Sequence, residues 1–295
     1  MGTLKQDKSW AERPPGLVLS ACRALRRFAL AEDETCAAAG IVEPPQSPGP
    51  QDLGFQKEAP AGGEPATPPP PPPPPPLFRH IIGSDGGMQL VAGWLGEAHG
   101  EAHIVAVCSL LEALCHDQAN ADMFCAARGM ELITAVLGRP ASSRDSLDAA
   151  IQLLIATATA ADPERSCQRF VEAGGFRALV SAMTMFSMKR APRKTASESE
   201  FHINVCRALF HLVESPAHRA KAIEHGVLEA LACSGGILSQ TIRRHDVQAT
   251  EYVGAVLAQL ADGQTAVDVA HYMVSNCLGL LRAGCESFPD EVTVG

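Results

Sequence analysis

Aromatic residues are scarce in this chain: two Trp, two Tyr and ten Phe make up 5% of it. Sheets favour aromatic and β-branched residues, so this shortage argues against a β-rich core. Ala and Leu are abundant instead, within an apolar fraction of 46%, which suits close-packed helices. Positive charge is also short. Lys and Arg total 24 against 33 Asp and Glu, a formal net charge of −9. Nucleic acid demands phosphate-neutralising Lys and Arg, so an acidic chain is a poor candidate for that partner. No apolar run reaches the ~20 residues of a membrane helix; the longest uncharged helical stretch, 149–161, is too short. No membrane partner is expected.

Other signals are missing too. The opening Met1-Gly2-Thr3-Leu4-Lys5-Gln6 has no apolar signal-peptide core. Gln6 stands where N-myristoylation wants Ser or Thr. The ten cysteines, among them Cys22, Cys36, Cys108, Cys115, Cys125, Cys167 and Cys206, mostly fall inside apolar helical patterns. They read as reduced core residues of a cytoplasmic or nuclear protein. There is no Gly-x-Ser-x-Gly elbow, no phosphate-cradling loop ahead of a Lys, and no Cys-x-x-Cys. His99 and His103 stand four apart, but Gly-Glu-Ala between them lacks the metalloprotease order, and Gly100 marks a loop junction. Asp145 and Asp148 sit at a helix start, where they suit the helix dipole better than catalysis. Met183, Met185 and Met188 surround Phe186 and read as core or a buried helix end rather than a contact surface. The expectation is a protein with no cofactor, no metal and no enzymatic activity.

Several segments stand outside any core. Residues 43–76 are rich in Pro and Gly and end in nine consecutive prolines, Pro68–Pro76. Such a tract is an extended polyproline II rod, so 43–76 is expected to be a disordered insertion. The rod reads as a spacer or as a ligand for a proline-binding domain. Residues 188–200 hold Lys189-Arg190, Arg193-Lys194 and Ser197-Glu198-Ser199-Glu200, and read as a flexible loop. Thr195, Ser197 and Ser199 there are candidate phosphorylation sites beside Arg and Lys. Residues 1–13 and 286–295 read as tails. The globular parts are then 14–42, a partial repeat, and 77–285.

Those parts carry helical periodicity and an internal repeat. Val107, Leu110, Leu111 and Leu114 lie on one face; so do Ile151, Leu154, Ile155 and Ala158. Val205, Leu209, Leu212 and Val213, then Val253, Val256, Leu257 and Leu260, repeat the pattern. Segments beginning at Asn120, Cys167 and Arg219 align as a short helix, a glycine and a second apolar helix. A cap residue precedes each by a near-constant distance: 12, 13 and 11 residues for Asp117–Gly129, Asp162–Gly175 and Ser215–Gly226. The glycine is expected to supply a positive-φ turn. Gly87, Gly129, Gly175 and Gly226 follow one another at 42, 46 and 51 residues, the last interval holding the charged loop.

Short helix, glycine, second helix and long third helix together resemble the armadillo repeat. The resemblance covers about 15–42 and 77–283. It implies an all-α, right-handed α-α superhelix whose third helices line a concave groove for a partner. Third helices would be 15–31, 101–116, 143–160, 200–214 and 246–261. First-plus-second helices would be 77–98, 118–138, 163–187, 216–240 and 264–284, with the repeat at Asp33 cut by the insertion. Importin-like members carry a Trp and an Asn on successive third helices. Here the Trp register holds Arg23, Ser109, Gln152, Arg207 and Ala255, and the Asn register holds Arg27, Ala113, Ala156, His211 and Gln259. Recognition of nuclear-import peptides is therefore not expected. The groove positions with interactive side chains are Arg207, His211 and Gln259. The leading expectation is a scaffold or adaptor that binds a protein or peptide segment. A chaperone nucleotide-exchange factor, an enzyme on a helical scaffold and a piece of a longer solenoid are the alternatives.

Overall fold

Each repeat begins where the sequence places a cap. Asp117 accepts from the Asn120 N–H and Asp162 from that of Arg165, and within a repeat Asp246 likewise caps a third helix by accepting from Ala249. Ser215 holds the same position ahead of Pro216, but its side chain makes no capping bond. The computed structural model describes residues 19–27, 86–98, 100–140, 142–160, 162–188, 197–233, 235–279 and 282. Among these there is no strand, and residues 19–27 are helical. The expected insertion 43–76 and the tails 1–13 and 286–295 lie outside them.

The helices are α1 (Gly87–Glu97), α2 (Glu101–Cys115), α3 (Gln118–Ala126), α4 (Gly129–Leu137), α5 (Arg144–Ala160), α6 (Pro163–Glu172) and α7 (Gly175–Met188). They continue with α8 (Ser197–Leu212), α9 (Pro216–Glu224), α10 (Val227–Ala232), α11 (Ile237–Arg243), α12 (Val247–Leu260) and α13 (Ala266–Asn276). The expected third helices are thus α2, α5, α8 and α12, and they pack side by side in that order. Second helices α1, α4, α7 and α10 form a parallel row. The result is an all-α solenoid. One core cluster runs from Cys22 to Cys277, with Leu110, Phe124, Leu154, Phe176, Leu209 and Val253 all fully buried.

Hydrogen bonds at one-repeat separation sew the units together. Arg139 Nη1 donates to the Ala98 carbonyl at 2.8 Å, and Arg219 Nη1 to Asp262 Oδ2 at 2.7 Å. Arg169 donates to the Cys125 carbonyl, and Cys167 Sγ to that of His211 at 3.7 Å. A second bond recurs at three of the junctions between a third helix and the next first helix. Near the start of the first helix, Asn120, Arg219 and Thr265 each donate to a carbonyl at the end of the preceding third helix, those of Leu114, Val213 and Leu260. These carbonyls lie where intrahelical donors run out, and the side chains supply donors there, at Leu114 beside the Asp117 N–H.

Three expectations need correction. Gly129 and Gly175 do not supply the positive-φ turn; the left-handed residues are Arg128 (φ 65°) and Gly174 (φ 80°). Gly129 and Gly175 open α4 and α7, and a Cβ there would fall 2.5 Å from the Phe124 ring and 2.3 Å from the Phe170 ring. Only Gly226 (φ 80°) fills the expected role. The segment 216–240 is not two helices but three, because the chain breaks between α10 and α11. Gly236 crosses the end of α10 there, with room for no Cβ beside the carbonyls of Ala230 and Leu231. The loop 188–200 is shorter than expected: Met188 closes α7, and Ser197 opens α8. Glu198 and Glu200 in that first turn suit the helix dipole.

Candidate functional site

The third helices are buried on most of their circumference and keep one stripe half-open. On α2 it carries Val105, Ser109 and Glu112; on α5, Asp148 and Gln152. On α8 it carries Ile203, Arg207 and His211; on α12, Ala255 and Gln259. The spacing of three to four residues keeps each set on one face. The register positions Ser109, Gln152, Arg207 and Ala255 are all half-buried, so the four stripes join into one surface across the repeats. Ala113 and Ala156, by contrast, are 2% and 5% exposed and belong to the core.

Residues 19–27 lie against the first of these helices. A cleft of about 410 Å³ separates them, lined by Arg23 and Arg26 on one wall and Glu101, Val105, Ser109 and Asp145 on the other. Exposed carboxylates continue along the surface at Glu101, Asp145, Glu200 and Glu251, one on each third helix. Burial pushes the Glu112 and Asp148 carboxyls upward. Asp148 adds to the rise at Glu112, which Arg26 opposes. At Asp148 the Asn204 amide opposes, while Glu200 and Asp145 add.

The three expected groove residues have different surroundings. Arg207 and Gln259 are half-buried, and Arg207 Nε and Gln259 Oε1 are buried with no hydrogen-bond partner among the described residues. A buried polar atom left unpaired costs about 1–3 kcal/mol, so both side chains would gain from a further partner. His211 sits at the edge of the surface. It lines a cleft of about 430 Å³ with Asp162, Glu164, Cys167, Glu214 and His218, between α8 and the first helices α6 and α9. Burial lowers its pKa; Arg207 adds to the drop and Glu214 resists it. Gln259 stands one third helix further on.

Of the expected phosphorylation sites, Thr195 lies outside the described residues and Ser197 is the first residue of α8. Ser199 is half-buried and donates to Asp246 Oδ2. Phe186 stacks on Phe201 with centroids 3.6 Å apart and Met183 is 3% exposed, so these three are core, while Met185 is half-buried. His99 is outside the described residues, and no His, Cys, Asp and Glu group among those described could hold a metal.

The sequence concealed an ion network across the third helices. Arg144 at the start of α5 meets Glu198 at 2.9 Å, and Arg244 after α11 meets the other oxygen of the same carboxylate. Burial raises the Glu198 pKa, but the bonds and charges of Arg144 and Arg244 outweigh it and hold it low. The Arg144 guanidinium also lies 4.2 Å from the Phe186 ring centre. His202 is 2% exposed beside this group. Its pKa is lowered to about 4, first by burial and then by Arg244 and Arg144, against Glu198 and Asp246.

That histidine sets a pH dependence. The unfolded chain takes up its proton near pH 6.5 and the folded chain near pH 4. Its contribution is therefore complete above pH 6.5 and lost as the pH falls toward 4. The loss amounts to about 3 kcal/mol. Urea titrations at pH 7 and pH 4.5 are expected to show a larger drop for the native chain than for His202→Asn. Equal drops would remove His202 from the account.

A model of the family described as catenin-beta-like, Arm-motif containing, nuclear, matches residues 101–226. No curated protein matches the chain. The matched stretch starts at the first residue of α2 and ends at the glycine after α9, so it holds two complete three-helix units and their neighbours. Over residues 101–226 the chain is similar to an armadillo-motif family, and its fold is an all-α solenoid of the armadillo type.

Proposed function

We propose that the chain is a non-enzymatic scaffold that takes a segment of a partner protein along its third-helix face. The observation that carries this reading is the pair of buried polar atoms on that face with no partner among the described residues, Arg207 Nε and Gln259 Oε1. Solenoids use such extended faces for binding, and a partner's backbone or side chains would complete both bonds. The carboxylates of Glu101, Asp145, Glu200 and Glu251 make a segment bearing Lys or Arg the better electrostatic match. No helix among the described residues is long and apolar enough to cross a membrane. We place the chain in the cytoplasm or the nucleus; the matched family's description supplies the second.

Affinity capture tests this with the native chain and the double variant Arg207→Ala/His211→Ala. Truncating a central Arg in an interface commonly costs over 1 kcal/mol, so recovery of the partner is expected to fall about tenfold. Unchanged thermal unfolding of the variant keeps the comparison fair. Equal recovery of the same partners would show that the groove residues are wrongly chosen.

A further inference from the structure

Three consecutive third helices meet at two adjacent residues, Glu198 and Ser199. Glu198 holds Arg144 of α5 and Arg244, just ahead of α12. The Ser199 hydroxyl donates to Asp246 Oδ2 across a whole repeat. The other oxygen of that carboxylate accepts from the Ala249 N–H at 3.1 Å and caps α12. One serine hydroxyl therefore steadies the residue that starts the next third helix.

We propose that Ser199 is a phosphorylation site and that a phosphoryl group there releases the joint between α8 and α12. In the step, Ser199 Oγ forms a bond to the terminal phosphorus of a nucleoside triphosphate bound to a protein kinase. The bond from that phosphorus to the diphosphate breaks and takes its electron pair, and the hydroxyl proton passes to the kinase's base. Ser199 is half-exposed and stands in the first turn of α8, where N–H groups have no intrahelical acceptor. Unwinding one terminal turn is the least costly opening a helix has, and it presents the hydroxyl.

The product changes the joint in two ways. The donor to Asp246 is gone, and about two negative charges now face Asp246, with Glu198 and Glu200 on either side. Arg244, whose side chain is 46% exposed, is placed to leave Glu198 and pair with the phosphate. The start of α12 loses its support, and the spacing between Arg207 on α8 and Gln259 on α12 changes. The effect on binding rests on the third-helix face being the binding surface; the release of the joint does not.

The test uses the full chain made with phosphoserine at position 199, beside the unmodified chain and Ser199→Ala, followed by hydrogen exchange. The amides of Ala249 and Thr250 are expected to exchange about tenfold faster in the phosphoserine chain, with a smaller change in Ser199→Ala. Mass spectrometry of the chain isolated from its natural source is expected to find phosphate on Ser199. Unchanged exchange at α12 overturns the proposal, as does exchange no faster than in Ser199→Ala. Loss of protection throughout the chain, or native protein without phosphate at Ser199, overturns it too. None of these readouts needs a partner, so the joint can fail while the binding face stands.

Discussion

Gly175→Ala is expected to destabilise the chain by about 3 kcal/mol, well beyond what a glycine-to-alanine change at a helix start ordinarily does. The added Cβ would lie 2.3, 2.4 and 2.5 Å from three atoms of the Phe170 ring, and that ring is fully buried. An aromatic ring in a packed core has no flexible end to turn aside, so α6 and α7 must separate. For a chain of this size the fall in Tm is roughly 5–10 °C. Gly174→Ala next door is the internal control. Nothing lies within 4 Å of a Cβ there, and its φ of 80° adds only backbone strain, about 1 kcal/mol. Combining Gly175→Ala with Phe170→Leu is expected to cost less than the sum of the two, because the smaller side chain makes room. Thermal unfolding of the four variants checks this. Equal falls for Gly174→Ala and Gly175→Ala would mean that the glycine serves the turn and not the ring.

Arg219→Ala is expected to cost a comparable amount, about 3 kcal/mol. Arg219 sits near the start of α9 with its side chain 10% exposed. Its Nε donates to the Val213 carbonyl at 2.9 Å, Nη2 to that of Glu214 at 2.9 Å, and Nη1 to Asp262 at 2.7 Å. It thus closes the end of α8 and ties α9 to the turn after α12. The Asp262 side chain is 70% exposed, so water screens the ion pair and leaves it under about 1 kcal/mol. Most of the loss comes from the two carbonyls. Arg219→Lys is expected to recover little, since one ammonium cannot span three acceptors set around a planar fork. Urea unfolding of Arg219→Ala, Arg219→Lys and Asp262→Ala separates the contributions. If Asp262→Ala costs as much as Arg219→Ala, the ion pair and not the helix end is what Arg219 supports.

The repeat was legible because its signals are local. Asp117, Asp162 and Pro216 stand beside the helices they start, and apolar residues at helical spacing bound α2, α5, α8 and α12 within a few residues. The role of Gly129 and Gly175 was misread because a turn and a close ring contact place glycine at nearly the same point; Phe124 and Phe170, five residues earlier, were the available clue. The break between α10 and α11 had a signal as well, Gly235-Gly236 inside the apolar segment. The network of Arg144, Glu198 and Arg244 had none. Its members are 54 and 46 residues apart in sequence, and only the packing of three third helices brings them together. For the same reason the register placed Arg207 and Gln259 on the half-open stripe but could not show that His211 turns toward the first helices.

The most direct test of the binding face is photo-crosslinking in cells. A photoreactive residue goes in turn at Ser109, Gln152 and Ala255, on the third helices, and at Asp122, Gln168 and Ala220, exposed on the first helices α3, α6 and α9. The account predicts that one partner is captured from the three third-helix positions and from none of the first-helix positions. Capture of that partner from Asp122, Gln168 or Ala220, with none from the third helices, would contradict it.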